Sequence, residues 1–395
     1  MSEARMVEES KSVLSKEILA GCTERAGIYD KENSFFHEDF EQLKAAGYLT
    51  GTVPKELGGG DLSLLQSCQE QRKLAYHAPA TALAINMHLY WLGVAADLWR
   101  NGDNSMEWLL KEAMDGEIFA SGHSERGNDL PLFLSTTKAT QVDGGFRFTG
   151  HKMFGSLTPV WTRMGLHGLD ADHPDGPRII HAFMPRDTEG FTIKETWDVM
   201  GMRATRSDDT ILDNVFIPDE YIVDIVPAGQ GDPFVLSVFA WALLGFGAVY
   251  CGVAKRAIDL ALPIVKSKSS LGMARPMSYH PEVQHSVAQM MLNYETMVPV
   301  LDHVASEWVA GVEHGPAWPA KIVGAKYHCV ESCWKVVDTA MDVSGGNGMF
   351  KGSELERLFR DARCGRFHPA TSNLVHEIVG KTALGIDLGE QPRWG

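Results

Sequence analysis

Apolar residues recur at three- and four-residue steps through the first part of the chain, give way to alternation in the middle, and return to helical spacing towards the end. Phe40–Ala46 and Ser63–Tyr76 carry the helical step, and the turn-rich run Pro54-Lys55-Glu56-Leu57-Gly58-Gly59-Gly60 separates them. Thr81–Arg100 repeats the step, with His88 inside it. From about Glu117 to Asp224 the pattern is that of strands. Phe146 and Phe148 alternate with Arg147 and Thr149 between glycines, and Arg178–Met184, Phe191–Thr196 and Thr210–Ile217 are similar runs bounded by Gly, Pro or Asp.

Between Phe234 and Ala254 no residue is charged. About 20 apolar residues can span a bilayer. Here Lys255, Arg256 and Asp259 continue the same helical register, and no second span or basic flanking loop accompanies the stretch. It reads as the central helix of a bundle, apolar all round because neighbours surround it. Val283, Val287, Met290, Tyr294, Met297 and Leu301 form one stripe on a further helix, which Pro299 is expected to kink near its end. Lys321–Val343 and Thr371–Leu384 predict two more. The class is therefore α+β, with a helical domain over 1–116, a β-domain over 117–225 and a helical bundle over 233–390.

Composition narrows the function. With 395 residues, 44% apolar and 22% charged, the chain can bury a large core unaided. The formal net charge of -15 repels phosphate backbones and anionic lipid, so neither nucleic acid nor a membrane is an expected partner. An anionic cofactor would need a local basic or backbone-amide site. The six cysteines are scattered, and the one close pair, Cys329 and Cys333, has no matching second pair, so free thiols rather than a metal site are expected. The charged start of the chain, residues 1–9, lacks an apolar stretch and points to a cytoplasmic protein.

Five short words carry more. Ser121-Gly-His-Ser-Glu-Arg-Gly-Asn-Asp129 is similar to a loop with a Thr-Glu-Pro-Gly core, and Gly150-His-Lys-Met-Phe-Gly-Ser156 to Gly-x-Lys-x-Trp-Ile-Thr. Met200-Gly-Met-Arg203, Gly345-Gly-Asn-Gly348 and Arg360-Asp-Ala-Arg363 follow in the same order. Over nearly its whole length the chain thus resembles the acyl-CoA dehydrogenase superfamily. The resemblance implies a barrel- or sandwich-like middle domain, a C-terminal four-helix bundle, and a flavin: FAD, with FMN or reduced flavin as alternatives. It implies that Ser121, His123 and Ser124 line the pyrimidine side of the ring and that Phe154, Gly155 and Ser156 border it. A hydroxyl at Ser156 can bond the N5/O4 edge, and Phe154 supplies an aromatic face. The resemblance further implies that Thr371 and Ser372 complete the flavin site. Gly345, Gly346, Asn347 and Gly348 would approach the pyrophosphate of a neighbouring subunit's cofactor, which implies a homodimer or homotetramer.

The sequence also departs from that pattern. Family dehydrogenases remove an α-proton with a glutamate, and here Pro369 occupies its position in Phe367-His-Pro-Ala-Thr371. Some members carry the base on the long helix, where this chain has Ala242. The family's Arg-x-x-Phe, which grips the adenine half of FAD, reads Lys268-Ser-Ser-Leu271. His368, Ser156 and His88 are the candidate catalytic set, with a core role as the plain alternative for His88. The first reading is a dehydrogenase acting on a small molecule such as an acyl-CoA thioester. The second is a two-component monooxygenase fed reduced flavin by a separate flavin reductase. The third is a homologue that binds flavin or acyl thioester without turnover.

Overall fold

The computed structural model describes residues 12–390; the charged stretch at 1–9 lies outside the described residues. The first helices are α1 (Lys16–Glu32), α2 (His37–Ala45), α3 (Leu64–His77), α4 (Pro79–Arg100) and α5 (Glu107–Met114). Ser63 starts α3 with a reciprocal capping box to Gln66, and Pro79 opens α4 at a position where no N–H is needed.

Strands follow: β1 (Phe119–Gly122), β2 (Lys138–Val142), β3 (Gly145–Gly155), β4 (Arg163–Asp170), β5 (Arg178–Pro185), β6 (Phe191–Lys194), β7 (Asp208–Pro218) and β8 (Ile222–Pro227). They form one sheet in the order β6-β7-β3-β2-β4-β5-β8, with β1 parallel beside β4. β5 approaches β7 across three intervening strands, so the sheet is curled on itself. Periodicity picked out β3, β5, β6 and β7. It gave no signal for β1, β2, β4 and β8; β4, like β5, is buried along nearly all its length and does not alternate, and it lacks the prolines, Pro177 and Pro185, that bound the β5 run.

The last part holds α6 (Pro233–Ser267), α7 (Pro281–Val309), α8 (Trp318–Ser344), α9 (Glu354–Cys364) and α10 (Ser372–Leu384). Asp232 caps α6 by accepting from the Val235 N–H at 2.8 Å. The uncharged stretch runs on through Lys255 and Asp259 as one helix, and 94% of its most apolar window is buried within the protein. Pro299 lies inside α7, which continues to Val309. Helices α6, α7, α8 and α10 pack together, with α9 against α8.

The long helix meets the N-terminal helices at very short range. A Cβ on Gly93 would lie 2.2 Å from the Trp241 ring, and one on Gly245 would lie 2.1 Å from Asn86 Oδ1. Asn86 donates to the Ala242 carbonyl and accepts from Gln71, which accepts from the Tyr48 hydroxyl. This buried network ties α3, α4 and α6 into one body and sets the width of the space between α4 and α6.

Candidate active site

A cavity of about 480 Å³ lies where α4, α6, the ends of β1 and β3 and the turn before α10 converge. One wall is polar and built on the sheet. At the end of β3 the register with β7 slips between Lys152 and Gly155, and Phe154 takes a left-handed conformation (φ 58). The kink leaves the Phe154 ring half exposed, edge-on to Trp197 at 5.9 Å, while Ser156 is buried.

Ser156 begins a row of three hydroxyls whose polarity is determined. Thr205 donates to the Met202 carbonyl at 2.9 Å, an oxygen that only accepts. Thr205 must therefore receive Ser207 at 2.7 Å, and Ser207 must receive Ser156 at 2.8 Å. Every proton in the row points away from the cavity, so Ser156 Oγ offers it lone pairs.

Beside this row, the 121–129 loop is held by Glu125. Its carboxylate accepts from Lys152 Nζ (2.5 Å), the Thr137 and Ser135 hydroxyls (both 2.7 Å) and the Thr136 N–H (2.8 Å). Burial would raise the Glu125 pKa, but Lys152 and the hydroxyls more than offset it and hold it near 2. Burial lowers Lys152 to about 8 against the pull of the same carboxylate. His123 lines the cavity, with Nδ1 2.9 Å from Ser121 Oγ and Nε2 buried without a partner.

The opposite wall is helical and apolar, formed by Leu83 and Met87 of α4 and Val238, Ala242, Leu243 and Phe246 of α6. His368 enters it from the turn before α10, stacked on Phe246 with ring centres 5.0 Å apart. Its Nε2 lies 2.7 Å from the Tyr250 hydroxyl. Tyr250 is fully buried with no second acceptor among the described residues, so its proton goes to Nε2. Nδ1 therefore carries the ring's proton, and His368 is a neutral N–H donor. Burial and the nearby Lys326 ammonium lower its pKa to about 3. Lys326 pins the turn by donating to the His368 and Ala370 carbonyls at 3.1 and 2.9 Å.

Ser121, His123, Ser124, Phe154, Ser156, His368 and Thr371 are thus brought together around one cavity. Gly155, between Phe154 and Ser156, is not in the lining, and neither is Ser372, which is exposed at the start of α10. His88 does not reach the cavity. Its Nδ1 accepts the Phe119 N–H and its Nε2–H donates to the Leu49 carbonyl, both at 3.0 Å, which is a core histidine with both nitrogens satisfied. Lys268, Gly345, Gly346, Asn347 and Gly348 are also absent from the lining. Lys268 follows Phe246 by 22 positions, about 33 Å along α6 at the helical rise. There its Nζ donates to the Ser344 carbonyl, at the head of the glycine turn. Tyr250, Ser207, Thr205 and Trp197 escaped the sequence reading, because a buried tyrosine and small hydroxyls carry no pattern of their own. Among the described residues no group of three or more His, Cys, Asp or Glu is placed to hold a metal.

The site fits an isoalloxazine ring: an aromatic pair at the rim, a hydroxyl acceptor at one edge, and the hydrogen-bonded Ser121 and His123 with Ser124 at the other. Comparison with known proteins agrees. Residues 3–108 match the acyl-CoA dehydrogenase N-terminal domain, and residues 244–373 match the acyl-CoA dehydrogenase C-terminal domain. Mitochondrial isovaleryl-CoA dehydrogenase of Arabidopsis thaliana is 27% identical, covering 95% of this chain and 89% of its own. L-evernosamine nitrososynthase of a Micromonospora species is 26% identical, covering 94% and 90%. The solved structure of KijD3 with FMN and a dTDP-linked amino-keto sugar shares the fold, with a TM-score of 0.83 at 24% identity over 94% of this chain and 92% of that one. With one family matched at both ends of the chain and a flavin-shaped site between them, this protein belongs to the acyl-CoA dehydrogenase family of flavin-dependent oxidoreductases.

Proposed function

We propose that the chain is a monooxygenase of this family, acting with reduced flavin and dioxygen on a compact, largely apolar small molecule. One observation carries the reading. Both stations from which the family's dehydrogenases present their base line the cavity, and they hold Pro369 and Ala242. The carboxylates that do line it, Glu125 and Asp129, lie in the loop on the strand side, and Glu125 is committed to Lys152. Without a base facing the helical wall, removal of an α-proton loses its usual rate advantage of about 10²–10⁴.

Bound flavin would supply the two-electron chemistry and, when reduced, the reaction with dioxygen. Ser156 Oγ, an acceptor by the polarity of its row, suits an N–H at the ring edge, as reduced flavin presents there. His368 Nδ1–H can donate to oxygen-centred charge on the other side of the cavity and hold a proton there. The apolar wall keeps water out, which strengthens both contacts. The relative named L-evernosamine nitrososynthase, whose name denotes formation of a nitroso group, supports an oxygenation of this kind. A separate reductase would deliver the flavin. Lys268 and the 345–348 turn, far from their own cavity, suit a cofactor held by a second subunit.

The test is rapid mixing of the reduced flavin complex with oxygenated buffer. A transient absorbance distinct from oxidised and reduced flavin, with oxygen from ¹⁸O₂ in the product, is expected. Bleaching of oxidised flavin by an acyl-CoA under anaerobic conditions would instead establish the dehydrogenase reading.

A further inference from the structure

Behind the cavity, on the side away from His368, three buried histidines stand in file. Leu166 pairs with Gly122 across β4 and β1, which sets His123 beside His167, with ring centres 5.3 Å apart. His167 is in register with His181 on β5, their rings stacked at 6.0 Å, and His181 is in register with Asp224 on β8. Residues in register on neighbouring strands share a face, so the file crosses the sheet from the cavity to its edge strand.

Four imidazole nitrogens along it are buried without a protein partner: His123 Nε2, His167 Nδ1 and both nitrogens of His181. Buried polar atoms of this kind take ordered water, and an apolar side chain would have served the core better. At the outer end Asp224 and the α6 cap Asp232 face each other, both only half buried. Burial and then the Asp232 carboxyl, which can bond it only by sharing a proton, raise Asp224 to about 7.

We infer that this file is a proton conduit joining the cavity to solvent, a reading that rests on the oxidoreductase site proposed above. The members have separate parts. The Asp224–Asp232 pair exchanges protons with bulk water. His181, with both nitrogens open, accepts on one and releases from the other. His167 does not relay: its Nε2–H is fixed on the Leu134 carbonyl at 3.0 Å, and its open Nδ1 lone pair would accept from the short chain of waters that carries the proton past it from His181 to His123. His123 hands the proton through Nδ1 to Ser121 Oγ at the cavity. Each proton entering at one end displaces one at the other, so every ring ends neutral. Lys152 from β3, with Glu125 beside it, faces the file, and Phe234 and Asp232 at the start of α6 close it. The fixed ammonium disfavours a lasting imidazolium, which suits passage rather than storage.

Exchange of the imidazole N–H protons in ¹⁵N-histidine-labelled protein, transferred to D₂O, tests this without flavin. His181 and His123 should exchange about tenfold or more faster than the His167 Nε2–H and the β4 and β5 amides. Asp224→Asn should slow that exchange about fivefold or more, while leaving His167 unchanged. Equal exchange at all three histidines, or no effect of Asp224→Asn, overturns the conduit. In flavin-loaded enzyme, His181→Phe should slow indicator-detected proton uptake on reduction about tenfold and raise its solvent isotope effect. Combined with Asp224→Asn it should add little, because the two act in series. Wild-type uptake in both single variants also overturns the conduit. A wild-type protein that takes up no flavin overturns the oxidoreductase site instead, and the exchange rates still decide the conduit.

Discussion

Along the strand wall of the cavity, Ser156, Ser207 and Thr205 are held by backbone that the sheet itself immobilises, and their hydrogen-bond directions follow from one carbonyl, that of Met202. Along the helical wall, α4 and α6 offer apolar side chains, and His368 supplies the polar contact from a turn held by Lys326. The difference separates two tasks. A cofactor common to a family needs fixed donors and acceptors, which strand ends provide. A substrate particular to one member needs a shape, and helix faces change shape by single substitutions without disturbing backbone hydrogen bonds.

The comparison breaks most visibly if the strand wall loses its anchor. Glu125→Ala leaves the fully buried Lys152 unpaired and frees the 121–129 loop. It should cost about 3–5 kcal/mol of stability, read by chemical denaturation, together with flavin affinity. A loss below about 1 kcal/mol would mean that the loop does not depend on this pair.

On the helical wall, His368→Phe keeps the stack on Phe246 and removes the donor. Product formed per flavin oxidised should fall about 100-fold, while flavin binding changes by less than about twofold. A parallel loss of flavin binding would place His368 in the cofactor wall instead. His368→Gln, which keeps an N–H, should recover part of the activity.

His88 sharpens the contrast, since it lies outside both walls. His88→Phe should leave turnover within about twofold and cost about 1–3 kcal/mol, because the Phe119 N–H and Leu49 carbonyl lose their partner. Its pH dependence gives the sign. Burial holds His88 near 4, so the folded protein resists a proton that the unfolded chain accepts below about 6.5. Wild-type stability should therefore fall as pH drops from about 6.5 through 4, and the variant should fall less steeply. The smallest effect is expected from Ser207→Ala. It deprives Ser156 of its inward acceptor and frees its proton to turn towards the cavity, weakening binding of reduced flavin about three- to tenfold and of oxidised flavin less.

Much of the fold was legible because periodicity and caps are local. The uncharged run beginning at Phe234, continued in register by Lys255, identified the core helix, and Gly345 and Arg360 fell in order with the strand words. β4 was not legible, since it is buried on both faces, does not alternate, and lacks the bounding prolines that marked the equally buried β5. Within the site, Ser156 and His368 stood in recognisable words, but Tyr250, which orients His368, lies 118 positions away on the long helix. His88 is the converse: a histidine on a well-defined helix whose ring is turned to the Leu49 and Phe119 backbone, a fact of packing that no helical spacing encodes.

The sequence alone determined that this is a helix–sheet–helix flavoprotein with proline and alanine where a base would stand. Those properties reside in composition, period and short words, each readable one segment at a time. Only the tertiary structure decided which hydroxyls line up behind Ser156, which nitrogen of His368 carries its proton, and which histidines file behind the cavity. Each depends on partners brought together from distant strands and helices, and hydrogen-bond direction exists only once both partners are in place.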